Sequence, residues 1–308
     1  MTKTQTHQLT LAGFLISLMG AIFFSTKAIF VKLAFQSTHV DAITLLSLRM
    51  LFSLPFYLFA AWLVSKKENK APLSKRDWWL LLAMGILGYY LSSLFDFIGL
   101  QYVSAGLERL ILFLYPTFAV LINTFYFKSR ISKIQVIALA LTYLGIGIAY
   151  FGELKLDTSN PKFFFGSFMI FLCAITYSFY LVGTGRMVNR VGVTRYTAYA
   201  MLAATAGIFI NFLVTHKVQE IPFTNGLVGY GIALAIIATV LPSFMMSNAM
   251  KRIGSNNVSI ITSIGPVSTI IQAHLFLGEH IIPAQIVGTA LVITGVLLIG
   301  WKGRLISN

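Results

Sequence analysis

The stretch YYLSSLFDFIGLQYVSAGLERLILFLYP, residues 89–116, decides the interpretation of the whole chain. It holds two apolar segments joined by a short polar turn, and it carries Asp96, Glu108 and Arg109. The pattern recurs 150 residues later, because residues 92–116 align without a gap on PSFMMSNAMKRIGSNNVSIITSIGP, residues 242–266. Apolar and polar blocks coincide although few residues are identical. Such self-similarity predicts one architecture that the chain uses twice.

The composition is that of a membrane protein. Of the 308 residues, 57% are hydrophobic and 10% are charged, whereas a soluble domain carries about 25% charged residues. The net charge of +14 can indicate nucleic-acid binding. The basic residues lie in short loops between apolar runs, so we expect no nucleic-acid partner. Cys173 is the single cysteine and the five histidines are scattered, so we expect no disulfide, metal or cofactor.

Ten segments are long enough to cross a bilayer, which takes about 20 apolar residues. Helices are expected, because an open sheet would leave backbone groups unpaired in lipid. The predicted fold class is therefore an all-α polytopic membrane protein with ten transmembrane helices. The predicted spans are 11–34, 42–64, 78–100, 105–127, 134–151, 163–184, 194–214, 227–249, 256–277 and 282–301.

The distribution of Lys and Arg predicts the orientation. With the N-terminus inside, the inner loops hold sixteen of these residues and the outer loops hold three, as the positive-inside rule requires. We expect a protein integral to the bacterial inner membrane with both termini cytoplasmic. Five spans per half is an odd number, so the second half enters the membrane inverted relative to the first. The predicted parts are a tail at 1–10, repeats at 11–151 and 152–301, and a tail at 302–308.

Pro116 and Pro266 occupy equivalent positions in the fourth and ninth predicted spans. Proline removes a helix hydrogen bond and bends the chain. The bend is either a static feature of the packing or a hinge, and the pairing of the two prolines favours hinges.

Six charged residues lie within the predicted spans of the first half. Lys32 is near the outer end of the first span and is expected to reach the membrane surface. The other five lie deeper or cluster together: Lys27, Arg49, Asp96, Glu108 and Arg109. An ionised side chain at the centre of a span costs about 2.5–3.5 kcal/mol on insertion scales, so each needs a partner or a function. One interpretation is structural, with the ion pairs Lys27–Asp96 and Arg49–Glu108 and with Arg109 facing the outer surface. The other is functional, with part of the cluster binding a charged or zwitterionic substrate, or with Asp96 or Glu108 carrying protons.

The second half offers neutral side chains where the first has charges, since Met246, Val258 and Ser259 align with the three charged residues of the opening stretch. We expect a substrate site between the halves, near mid-depth. The predicted substrate-binding residues are Lys27, Arg49, Asp96, Glu108, Arg109, Tyr89, Tyr177, Tyr180, Asn248 and His274. Glu279 is expected to be an acid in the first turn of the last helix, favoured there by the helix dipole.

The two halves together resemble the EamA-type proteins of the drug/metabolite transporter superfamily, over residues 11–301. The ending LFLGEHIIPAQIVGTALVITGVLLIG, with Gly278, Glu279 and Gly288, is similar to the Gly-Glu ending of that family's repeats. Arg49 matches its frequent basic residue in the second span, and GLERLILFLYP is similar to one branch of exporters. The first half departs with Ser129 in place of the acid, and Phe24–Ser25 stand where a Trp-Gly pair is usual.

The resemblance implies a permease that works by alternating access, in a family that carries amino acids, sugars, nucleotide-related metabolites and drugs. We expect export of small polar metabolites, such as amino acids or related anionic or zwitterionic compounds. Transport is either coupled to protons or facilitative. The working form is expected to be a monomer or a homodimer. A passive channel or a lipid flippase is the rival function. No catalytic motif such as Gly-x-Ser-x-Gly or a P-loop is present, so we expect no enzyme; an intramembrane enzyme is the other rival.

Overall fold

The computed structural model describes residues 10–66, 73–127, 133–156, 161–218, 221, 223–262 and 264–305. Helices are the only regular elements in these ranges, which confirms the all-α class. In chain order they are α1 (Leu11–Thr38), α2 (Ala42–Ser65), α3 (Lys75–Met84), the π-helical segment π1 (Gly85–Leu91), α4 (Ser92–Leu100), α5 (Ala105–Leu112), α6 (Tyr115–Phe127), α7 (Lys133–Leu156), α8 (Phe163–Val191), α9 (Val193–Thr215), α10 (Asn225–Ala235), the π-helical segment π2 (Ile236–Val240), α11 (Leu241–Thr262), α12 (Gly265–Leu277) and α13 (Pro283–Leu305).

Seven helical stretches within these ranges are long and apolar enough to cross a membrane. They are Leu11–Thr38, Ala42–Ser65, Lys75–Leu100, Val136–Leu154, Phe163–Tyr180, Val193–Thr215 and Asn225–Met246. The predicted span 105–127 is divided between α5 and α6, and the predicted span 256–277 is divided between α11 and α12. In the last predicted span the apolar helical stretch is the shorter Pro283–Gly295. The count of ten spans therefore stays a prediction.

Polar side chains at the helix starts satisfy backbone amides that have no partner within the helix. The Thr10 hydroxyl accepts from Gly13 N at the start of α1, and Asp41 Oδ1 accepts from Ile43 N (2.8 Å) and Thr44 N (3.0 Å) at the start of α2. Ser74 and Asp77 form a reciprocal capping box on α3. These caps fix the starts of the three helices within the polar connections that precede the apolar runs.

One predicted connection is wrong. Residues 250–255 were expected to form a loop between the eighth and ninth spans, but they lie inside the continuous helix α11. Arg252 Nε donates to Asn248 Oδ1 at 2.6 Å, one turn earlier on the same helix. A side-chain hydrogen bond at this spacing supports helical backbone, and no proline interrupts the segment.

Helices α7 and α13 cross closely through glycine. A Cβ at Gly145 would lie 2.6 Å from the Gly288 carbonyl oxygen, and a Cβ at Gly295 would lie 2.6 Å from the Ala138 carbonyl oxygen. Along this contact the residue number rises in one helix as it falls in the other, so the two helices are antiparallel. Small residues let membrane helices approach to backbone contact, and these glycines carry the packing.

The two π-helical segments lie 150 residues apart, within the third and eighth predicted spans. In π1, Gly88 packs directly against the Tyr180 ring of α8. In π2, the Thr239 hydroxyl donates to Leu234 O at 2.8 Å, five residues earlier. π-helical turns insert a residue into the helix and are frequent at functional sites. Both segments are therefore candidates for parts of the functional site.

Helix α1 contacts elements of both halves of the chain. Its Gly13 packs against Ile253 and its Gly20 against Met246, both on α11. Further along, the Ser25 hydroxyl donates to Gly265 O at 3.3 Å, at the start of α12. Residues 25–31 of α1 are largely buried, so Lys27 projects into the interior of the helical assembly and not toward lipid.

Candidate functional site

Lys27 of α1 is the centre of a buried charged cluster. Its ammonium Nζ lies 2.6 Å from Asp96 Oδ2 on α4 and 3.4 Å from Glu108 Oε1 on α5. Lys27 is 6% exposed, Asp96 1% and Glu108 0%. The predicted Lys27–Asp96 ion pair is therefore present, and Glu108 shares the same ammonium. Because buried charges are stable only when paired, these three side chains act as one electrostatic unit.

Arg49 on α2 occupies a different environment from the one predicted. Its Nε donates to the Thr239 hydroxyl of π2 at 2.8 Å, and its guanidinium carbon lies 5.5 Å from the centre of the Phe97 ring. The ion pair between Arg49 and Glu108 is not formed, because Glu108 turns toward Lys27. Arg49 instead connects α2 to the π-helical turn of the second half.

Arg109 on α5 is buried and does not face the outer surface. It is 6% exposed, and its guanidinium carbon lies 5.3 Å from the Phe24 ring centre and 5.6 Å from that of Phe113. On a further side it contacts Gly265 at the start of α12. Cation–π contacts hold the guanidinium in place, and the predicted surface position was wrong because the rotation of α5 turns Arg109 toward α1.

The cluster keeps unused hydrogen-bonding capacity. Within the described residues, Asp96 Oδ1, Glu108 Oε2, Arg49 Nη1 and Arg109 Nε are buried and have no hydrogen-bond partner. With all groups ionised the five residues carry a net charge of +1. Buried polar groups are nearly always satisfied in folded proteins, so these four atoms mark the cluster as the candidate functional site.

The three predicted tyrosines come together beside the cluster. The Tyr180 hydroxyl donates to the Tyr89 hydroxyl at 3.1 Å, and the two ring centres are 4.7 Å apart. Tyr177 stacks on Tyr180 with 5.8 Å between ring centres, and Tyr115 meets Tyr177 edge-on at 5.3 Å. This aromatic row links π1 and α8 to the first residue of α6.

Two predicted lining residues are not brought to the cluster. Asn248 is exposed and accepts a hydrogen bond from Arg252 on its own helix. His274 is also exposed, and its Nδ1 lies 2.9 Å from Glu279 O. The structure therefore places neither side chain beside the charged cluster, and their role in substrate binding stays a prediction.

The breaks next to the two prolines are equivalent. Helix α5 ends at Leu112 and α6 begins at Tyr115, while α11 ends at Thr262 and α12 begins at Gly265, 150 residues further on in each case. Ser178 Oγ donates to Tyr115 O at 3.0 Å, as Ser25 Oγ donates to Gly265 O. Pro116 and Pro266 are the second residues of α6 and α12, where proline is tolerated; their role as hinges stays a prediction.

A group of polar contacts near the start of α5 was not predicted from the sequence. The Glu279 carboxylate accepts from Ala105 N (3.0 Å) and Gly106 N (3.4 Å), so it caps α5 and is not in the first turn of α13. Beside it, Glu153 accepts from Ser104 Oγ and from Gln285 Nε2. The signal that was available is the Gly278–Glu279 pair, since Gly278 adopts a φ of 69° that ends α12 and turns the acid back toward α5.

The chain is similar in sequence to known transporters and in fold to a solved structure. The chain is 32% identical to the uncharacterized transporter YcbK of Bacillus subtilis (strain 168), over 92% of each chain. It is 23% identical to the uncharacterized transporter sll1319 of Synechocystis sp., over 95% of this chain and 94% of that protein. A crystal structure of a protein with 16% identity has the same fold, with a TM-score of 0.66 over 96% of this chain and 99% of that chain.

A family model matches the chain twice, at residues 11–151 and 164–301. The matched description is the EamA-like transporter family, which confirms the resemblance noted from the Gly-Glu ending and the second-span arginine. Together with the apolar helices, this makes the chain an integral membrane transporter. The chain belongs to the EamA-like transporter family.

Proposed function

We propose that this transporter exports small polar metabolites, such as amino acids or related anionic or zwitterionic compounds, by alternating access. The buried cluster around Lys27 carries the proposal. Five charged residues from four helices are almost fully excluded from solvent and yet leave donors and acceptors unused. Ionisable residues inside membrane proteins mark substrate and ion pathways, and this cluster has the composition to bind a small polar solute.

An inverted repeat of five spans in each half is part of the proposal. Equivalent helices 150 residues apart, α7 and α13, are antiparallel, and their contacts repeat under exchange of the halves: Gly145 with Gly288, and Gly295 with Ala138. Two parallel repeats would run these helices in the same direction. The matching π segments and the matching breaks before Pro116 and Pro266 support the repeat itself, and the direction of α7 and α13 supports its inversion. Transporters of this plan bind their substrate between the repeats.

We propose that the two breaks are the hinges of alternating access. A serine hydroxyl of the neighbouring half lies within hydrogen-bond distance of each break, Ser178 at Tyr115 and Ser25 at Gly265. Each hydroxyl also has a nearer carbonyl one turn earlier on its own helix, so its single proton is shared between two acceptors. Hinges are a few positions at element ends that absorb changes in backbone angles. Both chain ends are proposed to be cytoplasmic, in the inner membrane, on the strength of the sixteen-to-three distribution of Lys and Arg.

The shared ammonium supports a proposal of proton coupling. Lys27 neutralises one carboxylate, so either Asp96 or Glu108 is free to take up a proton without leaving an unpaired buried acid. We propose that this acid pair carries the coupled proton. If so, flux in proteoliposomes follows an imposed pH gradient, and Asp96→Asn removes that dependence while the protein still reaches the membrane.

The deciding experiment is metabolite profiling of cells that overproduce the protein, beside cells that overproduce Lys27→Gln. We expect the wild type to deplete specific polar metabolites from the cytoplasm and to accumulate them outside, and the variant to do neither. Equal profiles for both, with both proteins in the membrane, would refute a transport role for the cluster. Saturable flux and counter-transport by unlabelled substrate in proteoliposomes then distinguish a carrier from a passive channel.

A further inference from the structure

The start of α5 is held by side-chain oxygens at three consecutive backbone amides. The Glu279 carboxylate accepts from Ala105 N at 3.0 Å and from Gly106 N at 3.4 Å. The next amide, Leu107 N, donates to the Ser104 hydroxyl at 3.0 Å. The first amides of a helix have no partner within it, so such bonds fix where the helix begins. Because Glu279 belongs to the connection between α12 and α13, its bonds join the second half to the first.

A second buried acid supports the same turn from α7. Glu153 is 8% exposed, and its two oxygens lie 2.6 and 2.7 Å from Ser104 Oγ, which donates its one proton to them. Gln285 of α13 donates through Nε2 to Glu153 Oε1, so this acid also has a partner in the second half. From α1, Lys32 Nζ donates to Val103 O at 2.6 Å. Side chains from three helices and one connection therefore converge on residues 103–107.

The other copy of the repeat has no carboxylate at the equivalent positions. At the offset of 150 residues, Ser104, Glu153 and Glu279 are matched by Gly254, Gly303 and Ser129. An inverted repeat places equivalent positions at opposite ends of the assembly. The carboxylate bonds that hold the start of α5 are therefore available at one end of the molecule and not at the other.

We propose that Ser104, Glu153, Glu279 and Gln285 form a latch that keeps the transport path closed at its outer end. The proposal rests on the transport function and the orientation proposed above, which put the turn between α4 and α5 outside. Alternating access requires the halves to part at one end at a time. They cannot part at this end without breaking the bonds of Glu279 to α5 and of Gln285 to Glu153. Hydrogen bonds to a carboxylate are stronger than neutral ones, so the latch favours the conformation that is closed to the outside.

The single cysteine of the chain reports whether the latch is open. Cys173 of α8 is 4% exposed and lies close enough to Lys27, Asp96 and Glu108 to interact with their charges. Its thiol is therefore next to the charged cluster. A polar reagent that enters from the outer side reaches this thiol only when that end of the path opens.

The test measures how fast the full-length protein reacts at Cys173 in right-side-out and in inside-out membrane vesicles. The probe is sulfonatoethyl methanethiosulfonate, a small anion that does not cross membranes, and the unreacted thiol is counted after denaturation, with Cys173→Ser as the background. We expect Glu279→Ala and Glu153→Ala to react at least about fivefold faster than the wild type from the outside and no faster from the inside. The controls His280→Ala and Phe151→Ala change exposed neighbours and should react as the wild type does.

Equal rates from the outside in Glu279→Ala and His280→Ala overturn the latch, whether both rates are slow or fast. An equal rise from both sides means that the variant has a loosened fold, and a rise from the inside alone means that the contacts close the other end; either result overturns the proposal. Flux of polar metabolites is measured separately on the same proteins. Faster labelling from the outside without flux refutes the transport function and leaves the closure of the outer end, whereas flux with unchanged labelling refutes the latch alone.

Discussion

Removing the ammonium of Lys27 should destabilise the protein strongly. Asp96 and Glu108 are 1% and 0% exposed, so Lys27→Met leaves two carboxylates buried without the cation that both contact. At an effective dielectric constant of about 20, a contact of 2.6 Å corresponds to about 6 kcal/mol of attraction and one of 3.4 Å to about 5 kcal/mol. Most of this attraction offsets the cost of burying the charges, and breaking a buried pair typically costs about 3–5 kcal/mol. We therefore expect Lys27→Met to lower the free energy of unfolding by about 3–5 kcal/mol.

A double variant tests whether the loss comes from the pair. Lys27→Met combined with Asp96→Asn removes one cation and one anion and restores the net charge of the cluster. Because the two residues contact each other, the double variant should cost at least about 2 kcal/mol less than the sum of the single variants. The measurement is the free energy of unfolding in mixed micelles of dodecylmaltoside and sodium dodecyl sulfate, followed by tryptophan fluorescence.

The matched control is Lys66→Met, since Lys66 is exposed and contacts only the Trp62 ring, 3.9 Å away, in the described structure. It should change the free energy of unfolding by less than about 0.5 kcal/mol. A cost below about 1 kcal/mol for Lys27→Met, or strict additivity in the double variant, would refute the shared ion pair and with it the electrostatic unit at the centre of the site.

Three further variants test contacts that join the two halves. Gly288→Ala places a Cβ 2.5 Å from the Gly145 carbonyl oxygen, so it should lower the free energy of unfolding by about 1–3 kcal/mol in the same micelle assay. Glu279→Gln weakens the carboxylate cap on the first amides of α5, costs about 0.5–2 kcal/mol, and should speed hydrogen exchange at the start of that helix. Ser178→Ala removes the donor to Tyr115 O, costs about 0.5–1.5 kcal/mol, and should speed exchange in the first turn of α6.

Each of these variants has a neighbour that should behave as the wild type. Gly147→Ala adds a Cβ with no atom within 4 Å, His280→Gln changes an exposed side chain next to Glu279, and Thr176→Ala removes a hydroxyl that bonds within α8. If a control loses as much stability or protection as its partner variant, the effect is a general one and the specific contact is not its cause.

The sequence predicts most of the helices and the existence of a charged cluster, for physical reasons that are easy to state. Runs of about 20 apolar residues have no stable alternative to helices in lipid. Charges inside such runs must find partners, so the pairing of Lys27 with Asp96 could be anticipated. That Glu108 is the second partner of Lys27 could not be anticipated, because this contact depends on the rotation of α5 about its own axis. The same rotation determines whether Arg109 is buried.

The same limit applies to Asn248 and His274, which the structure does not place beside the charged cluster. Helix α11 mixes polar and apolar residues along its length, and α12 is apolar on most of its surface. In neither helix does a polar residue show from the sequence whether it faces the interior. The π-helical segments were also missed, since their extra residue per turn arises from packing, as at Gly88 beneath the Tyr180 ring. The contact between Glu279 and α5 joins residues 174 positions apart, and no local pattern indicates it.

The distribution of charge between the halves bears on how binding couples to movement. All five charged residues of the cluster belong to the first half, whereas the second half contributes a hydroxyl at Thr239 and backbone at Gly265. A relative motion of the halves would leave the Lys27 ion pairs intact, because both partners move with it. The same motion would separate Arg49 from Thr239 and Arg109 from Gly265. A substrate that binds at the charged cluster, as proposed above, would therefore have different contacts in each arrangement. Such a difference in affinity is what a ligand needs to shift a conformational equilibrium.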